Sequence, residues 1–431
     1  MAKSKKLIYL EKLLRLMAKL VIKKYKPKIV GITGSVGKTS AKTAVDLVLA
    51  TKFRVRSNQK NYNNEIGIPL TIIGAESGGK SFLKWIGVFL KWIAIIIFPV
   101  KYPEILILEM GVDRPGDMDY LLNFIPVDVG IITNISGSHL EFFKSLENIL
   151  EEKGKIIKKL PEDGAAILNE DDGKIMSYRS QSSAPLYTFG FSDKAQFKAE
   201  NISFSEEMSG IYFRLNYDGK SVPVRLKNVL ADYLVYAALS AVAVGIYFKI
   251  NLVDIAAALE NFSPLPGRMN LIPGIKKSYV MDDSYNASPT SVLAALKILE
   301  KISPKRKLVV LGDMLELGSE EEKGHREIGK KVFEIKTDLF FAIGDRMEAA
   351  VKELRSLGYP EEKIFYFDSP ENLGRKLQEE IREGDLILVK GSQGMRMEKI
   401  VEEIMAEPQK AGELLCRQNK EWKNIGKVIH S

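Results

Sequence analysis

The segment Lys28-Ile-Val-Gly-Ile-Thr-Gly-Ser-Val-Gly-Lys-Thr-Ser40 constrains this chain more than any other. An apolar β-type run enters a glycine-rich turn, and the pattern beyond the turn is helical. That order belongs to an open α/β sheet. Such a turn holds phosphate oxygens. Glycines let backbone N–H groups come close, and the helix N-terminus adds positive potential. Lys38 supplies a mobile charge, and the Thr39 hydroxyl can hold Mg²⁺. The general phosphate-loop pattern asks for glycine at position 32, where this chain has Ile32, with glycines at Gly31, Gly34 and Gly37 instead. Gly34, Ser35, Val36, Gly37, Lys38, Thr39 and Ser40 are therefore expected to bind a nucleoside triphosphate.

The strand–loop–helix alternation recurs. Apolar β-type runs lie at 105–109, 129–134 and 165–169, with a helical pattern over 145–160, which predicts a mostly parallel sheet. Residues 195–228 read differently. Ile211-Tyr-Phe-Arg-Leu-Asn-Tyr217 alternates and Asp218-Gly219 is a hairpin signal, so a small antiparallel patch is expected before an Ala- and Leu-rich helix at 231–247. Ser263-Pro-Leu-Pro-Gly-Arg268 reads as a boundary. Beyond it the alternation restarts, with strands predicted at 278–282, 307–311, 338–343 and 386–390 and helices at 289–302, 320–334, 346–356 and 395–405. The expected fold class is α/β: a basic amphipathic helix over 1–28, a P-loop central domain over 29–262, and a Rossmann-like C-terminal domain over 263–431.

Composition narrows the partners. The 431 residues are enough for a large core, and 45% hydrophobic with 27% charged residues is ordinary for a globular protein. Cys416 is the one cysteine, so no internal disulfide forms, and with three histidines a structural zinc site is not expected. This fits the cytoplasm, and no cleavable leader is evident. The net charge of +8 gathers in the first 28 residues, where Leu7, Leu10, Leu14, Met17 and Val21 recur at helical spacing among lysines. Such a helix either packs on the next domain with its lysines solvated or lies on an anionic membrane. Residues 82–100 are nearly all apolar, interrupted by Lys84 and Lys91, with Trp85 and Trp92 at the same spacing. They read as an interfacial helix or as one covered by a partner, not as a span. No nucleic acid is expected, because no recognition motif accompanies the basic charge.

Further chemistry sits at strand ends. Glu109 closes an apolar run and is followed by Met110-Gly111, which puts its carboxylate at the edge where open α/β sheets bind ligands. Glu109 and Thr39 offer two oxygen donors to a hard cation. Asn134 and His139 follow the next strand, and Lys153-Gly154 lies in the helical pattern beyond. Singly, each has a plain explanation: His139 as a loop residue, Lys153 as part of a solvated helix face with Glu151, Glu152 and Lys155.

In order and together these elements resemble the Mur ligase family, ATP-dependent enzymes that add amino acids or dipeptides to peptidoglycan precursors. The likeness runs through Gly34–Thr39, Asn61–Pro69, Glu109-Met-Gly111, Asn134 to His139 and Lys153-Gly154. It continues through Leu168–Asp172, Pro266-Gly-Arg268, Asp282–Pro289, Gly312–Gly318, His325 and Lys390-Gly-Ser392, covering about residues 29–405. The Asp-Asp-Ser-Tyr-Asn and Gly-Asp-Met-Leu-Glu-Leu-Gly runs are most similar to the MurF type, which joins D-alanyl-D-alanine to a UDP-linked muramoyl-peptide. The resemblance implies roles. Lys38 and the loop hold ATP; Thr39 and Glu109 serve one Mg²⁺ and His139 a second. Lys153 is carbamylated, which turns a repelling ammonium into an anionic oxygen donor for metal. Lys38, His139 and Lys153 are thus the implied catalytic residues. Arg268 and Asp283 close on the nucleotide from beyond a hinge at Ser263–Arg268, and Tyr285 and Asn286 lie near the nucleotide and the incoming amine. The implied partners are a muramoyl-peptide precursor and D-Ala-D-Ala, met in the cytoplasm, with peripheral membrane contact through 1–28 and 82–100.

The sequence departs from the family pattern in places. MurF-type enzymes carry an N-terminal domain that grips the UDP-sugar, and about 28 residues precede the P-loop strand here. The acceptor is therefore open between a UDP-linked precursor and a lipid-linked or other glutamyl or peptidyl carboxylate. Tyr233 and Ala237 stand where the family often has His and Asn, on the adenine side, so base preference is open. Gln393 replaces a basic residue, with Lys390 and Arg396 able to compensate. A non-catalytic nucleotide-binding membrane scaffold is the reading from another class, but a scaffold needs no second cation site.

Overall fold

The computed structural model of the chain describes residues 5–58, 62–79, 81–136, 140–205, 210–419 and 422. It divides into two compact units. Met1–Ile202, Tyr212–Leu226 and Tyr233–Phe262 make the first; Ser203–Ile211, Lys227–Asp232 and Ser263–Ser431 make the second.

The first unit is built on a sheet of nine strands: β1 (Lys28–Thr33), β2 (Val55–Ser57), β3 (Ile105–Glu109), β4 (Val129–Ile132), β5 (Ala165–Asn169), β6 (Leu186–Gly190), β7 (Phe197–Phe204), β8 (Gly210–Tyr217) and β9 (Lys220–Lys227). Their order is β2-β3-β1-β4-β5-β6-β7-β8-β9. From β2 to β7 every pair is parallel. β3 and β4 are buried at every residue, as strands covered on both faces must be, and this is why they read as unbroken apolar runs. β8 and β9 are joined by Asp218-Gly219, both at positive φ (51° and 70°), the two-residue hairpin the sequence signals. The chain leaves β1 toward β2 and β3 on one side and later places β4 on the other. That reversal opens a crevice at the C-terminal ends of β1 and β4, where doubly wound sheets take ligands.

The helices of this unit include α1 (Lys5–Tyr25), α2 (Lys38–Leu49), α3 (Gly67–Ile73) and α4 (Phe82–Ile97). α1 packs on α3 and α4 and buries Leu14, Met17, Val21 and Ile22. Each such side chain contributes about 1.5–3 kcal/mol, so packing rather than propensity holds the helix. Among the described residues no helix is long and apolar enough to cross a membrane.

The second unit carries a six-stranded sheet: β10 (Asn270–Pro273), β11 (Tyr279–Asp283), β12 (Arg306–Gly312), β13 (Leu339–Ile343), β14 (Ile364–Phe367) and β15 (Asp385–Lys390), ordered β10-β11-β15-β12-β13-β14. All neighbours are parallel except β10, an antiparallel edge. β14 and the helix Pro370–Glu380 after it are not among the predicted elements, although Ile364-Phe-Tyr-Phe367 is an apolar run and Leu373 and Leu377 recur at helical spacing. The segment predicted as one helix over 395–405 is a 3₁₀ turn at Gln393–Met395, a left-handed Arg396 (φ 55°) and a helix over Glu398–Ile404.

Candidate active site

The glycine-rich turn is held from below by the loop that follows β4. Val36 N–H donates to Asn134 Oδ1 at 2.8 Å, and Ser35 N–H to the Asn134 carbonyl at 2.9 Å. Ser35 Oγ donates to the Ser136 carbonyl and accepts from the Ser136 N–H, at 3.0 and 2.9 Å. Gly34 sits at φ 144°, and a Cβ there would stand 2.0 Å from Thr133 Oγ1. Gly37 is left-handed (φ 83°) and caps α2, aiming the helix N-terminus at the crevice. Lys38 Nζ folds back to the carbonyls of Gly34 and Ser35, at 2.8 and 3.2 Å. Thr39 and Ser40 are half-buried in the first turn of α2. A peptide cradle with a lysine across its mouth suits a polyphosphate.

Glu109 ends β3 beside this loop and is 4% exposed. Its Oε1 accepts from Asn63 Nδ2 at 3.2 Å, and Lys42 Nζ lies 3.6 Å from Oε2. Oε2 is buried and accepts no hydrogen bond. Asn58 fastens the strand end: its Oδ1 accepts from Glu109 N–H at 2.8 Å, and its Nδ2 donates to the Glu109 carbonyl at 3.1 Å. Lys42 Nζ donates to the Asn58 carbonyl at 2.5 Å, and burial pulls its pKa down against the pull of Glu109 upward. A buried carboxylate oxygen with no hydrogen bond, next to a phosphate loop, fits a hard cation.

Lys153 is 2% exposed on the helix Leu146–Lys158. Burial first, and then the positive charge of Lys38, pushes its pKa down to about 8; Asp113 and Glu152 pull the other way. The plain alternative, a solvated face of Glu151, Glu152, Lys153 and Lys155, fails for Glu152 and Lys153, which are buried, while Glu151 is exposed. Glu152 is 4% exposed, and its Oε1 accepts from Gly116 N–H (3.0 Å) and Met118 N–H (2.9 Å) at the start of the helix Asp117–Leu122. His139 and Asn61 lie outside the described residues. Among those described, no three His, Cys, Asp or Glu side chains cluster as a metal site.

Beside the loop a cavity of about 640 Å³ runs from Val36, Gly37 and Ser40 past Asn134 and Asp172 to Phe189, Tyr233, Tyr236 and Ala237. Its floor is fixed by Asp171, whose carboxylate accepts from the Tyr236 hydroxyl (2.9 Å) and from Phe191 and Ser192 N–H, and by Asp172, which accepts from Ile135 N–H at 2.8 Å. One end is a peptide cradle and the other an aromatic wall, the division a nucleotide presents.

In the second unit, Asp283 ends β11 and pairs with Lys390 at the end of β15, Oδ2 to Nζ 2.5 Å. Burial raises the Asp283 pKa, with Lys390 the main opposing influence. Asp282 is fully buried and accepts from Gly267 and Ser284 N–H; burial lifts its pKa to about 6. The Arg268 guanidinium lies 4.2 Å above the Tyr285 ring. Lys390 Nζ also donates to the Asn286 carbonyl, and Gln393 N–H reaches Asn286 Oδ1 at 3.4 Å. Arg268, Asp283, Tyr285 and Asn286 are thus one cluster. His325 plays another part. It is fully buried, its Nε2 accepts from Met314 N–H at 3.1 Å, and Nδ1 reaches the Glu321 carbonyl, so it fastens the Gly312–Gly318 loop. Sequence reasoning missed Lys42, Asn58, the burial of Glu152 and the aromatic residues Phe189 and Tyr236, whereas Tyr233 and Ala237, singled out in the sequence, do line this cavity. Only Lys42 carried a usable signal, four residues after Lys38 on the same helix face.

Two family models match the chain: Mur ligase middle domain over residues 93–245, and Mur ligase, glutamate ligase domain over 267–393. A UDP-N-acetylmuramoyl-tripeptide–D-alanyl-D-alanine ligase of Bacillus subtilis is 32% identical over 92% of this chain and 79% of its own length. The Escherichia coli enzyme of the same name is 28% identical over 87% of this chain and 76% of its own. Two MurF crystal structures, each 25% identical, align closely. That from Acinetobacter baumannii has a TM-score of 0.75 over 91% of this chain and 79% of its own. That from Thermotoga maritima, in complex with ADP, has 0.72 over 93% and 84%. The loop, the buried carboxylate and the buried lysine therefore sit in a member of the Mur ligase family of ATP-dependent amide ligases, of the MurF type.

Proposed function

We propose that this chain joins the amino group of D-alanyl-D-alanine to the terminal carboxylate of a muramoyl-peptide precursor, using ATP. The observation that carries the reading is Lys153: a nearly inaccessible amine, its pKa lowered to about 8, within the field of the phosphate-loop lysine. A buried ammonium there opposes both Lys38 and any cation. A neutral amine adds CO₂, forming an N–C bond and releasing one proton, and the product is an anionic oxygen donor. Thr39, Glu109, the Lys153 carbamate and His139 would hold two Mg²⁺ ions. When bound, these would neutralise the triphosphate and polarise its γ-phosphoryl group.

The chain's own groups do the rest. The Gly34–Ser40 loop and Lys38 orient the β- and γ-phosphates, and the cavity between Asn134 and Tyr236 takes the nucleoside. The acceptor carboxylate attacks the γ-phosphorus, and ADP leaves with the electrons of the broken P–O bond. The amine then attacks the acyl carbon, inorganic phosphate departs, and one proton is lost from nitrogen. Charge stabilisation and positioning are the two sources of acceleration. Arg268, Asp283, Tyr285 and Asn286 are assigned to the nucleotide and the incoming amine. With hydroxylamine replacing the amine, ATP and a UDP-linked muramoyl-tripeptide should give the acceptor hydroxamate with equimolar phosphate. ATP-dependent ligation without any trappable acyl phosphate would overturn the mechanism. A lipid-linked muramoyl-peptide is the second acceptor to assay, favoured by the exposed apolar faces of α1 and α4.

A further inference from the structure

α1 and α4 pack on one another, and each leaves an apolar row uncovered. On α1, Tyr9, Leu13, Leu16 and Leu20 repeat at helical spacing beside the buried stripe of Leu14, Met17 and Val21, with Tyr9 72% and Leu16 54% exposed. Lys12, Lys19 and Lys23 run beside that row, all exposed. On α4 the buried residues are Val88 and Ile95. Phe82, Ile86, Phe89, Leu90 and Ile97 line its other side, Phe82 at 77% and Ile97 at 65% exposure.

The pair is held rigidly. Trp92 Nε1–H donates to the Met17 carbonyl at 3.1 Å. Lys24 Nζ donates to the Ile95 and Phe98 carbonyls, each at 2.9 Å, satisfying acceptors at the C-terminal end of α4. The Tyr25 hydroxyl adds a bond to Ile95 at 2.8 Å. These rows are therefore fixed surface, and apolar surface of this extent on a folded protein marks an interaction site.

The lysines decide the occupant. An apolar row edged by lysine is the design of a helix that lies in a lipid interface, where aliphatic and aromatic side chains enter the acyl boundary and the ammonium groups meet anionic headgroups. A second copy of this chain would bring two lysine rows together. We propose that α1 and α4 form a docking face for an anionic lipid bilayer. The proposal is independent of the ligase reading, because ligation of a soluble acceptor does not require it.

Flotation of the full chain with vesicles tests it. The protein should float with phosphatidylglycerol–phosphatidylcholine vesicles at low salt, about tenfold less in 0.5 M salt, and little with phosphatidylcholine alone. Leu16→Glu with Leu90→Glu, both exposed positions, should abolish flotation, and Lys12→Glu with Lys19→Glu should reduce it about tenfold. Unchanged circular dichroism and ATP affinity would establish that the variants fold. Failure of the unmodified protein to float on anionic vesicles, or equal flotation of folded variants, would overturn the proposal. So would a concentration-dependent dimer, seen by light scattering, that the leucine variants abolish in a protein that does not float.

Discussion

At Lys153 the proposed chemistry and the stability of the fold depend on the same buried amine. Its folded pKa, about 8, lies below the ordinary lysine value of 10.5. Between those values the unfolded chain holds the extra proton, so stability rises with pH from about 8 to 10.5, and the full penalty of the buried charge is present below pH 8. That penalty is about 3 kcal/mol. In CO₂-free buffer, Lys153→Met is expected to be more stable than the unmodified protein in denaturant titrations at pH 7, the difference shrinking by pH 10. Its turnover should fall at least about 100-fold, the scale of losing a group that stabilises transition-state charge. Bicarbonate should restore the activity of CO₂-depleted unmodified protein and leave the variant inert. Gly34→Ala is the matching test on the loop. A Cβ 2.0 Å from Thr133 Oγ1, at φ 144°, must push the cradle out of shape, so ATP affinity measured calorimetrically should drop more than about tenfold. The glycines and Lys38 are legible because their spacing has one dominant physical use. Lys42 and Asn58 are not, because burial against Glu109 is a tertiary fact that their helix and loop do not advertise.

Among the elements, the helix Leu146–Lys158 bears the most. It presents Lys153 on one turn and uses Glu152 to satisfy two N–H groups of the helix Asp117–Leu122. Glu152→Ala strands those donors and should lower stability by about 2–4 kcal/mol in urea titrations, while Glu152→Gln keeps an acceptor and should lose less than half of that. Equal losses would show that charge, not acceptance, matters. On α2, Lys42→Met leaves Glu109 buried without its countercharge, expected to reduce stability by about 3–5 kcal/mol. Added Mg²⁺ should then raise the melting temperature of the variant more than that of the unmodified protein. The charge run around Lys153 shows the limit of pattern reading: alternating signs on a helix look solvated until another helix is laid over them. Apolar strands such as β3 are read without difficulty, whereas β14, an equally apolar run of Ile364-Phe-Tyr-Phe367, is passed over.

Across the whole molecule, the parallel sheets, the hairpin at Asp218-Gly219 and the amphipathic character of α1 and α4 follow from sequence pattern, while the antiparallel edge strand β10 and the packing of α1 on α3 and α4 do not. Periodicity states that a helix is amphipathic; it does not say which apolar residues find a partner. The proposed reaction couples ATP cleavage to amide formation on a muramoyl-peptide. The direct measurement is mass-resolved product formation from ATP, Mg²⁺, D-alanyl-D-alanine and a UDP-linked or lipid-linked muramoyl-tripeptide, with phosphate followed in parallel. Amide product and phosphate should appear in equal amounts with at least one acceptor, and neither without the amine. ATP bound with no amide product from either acceptor would contradict that reaction.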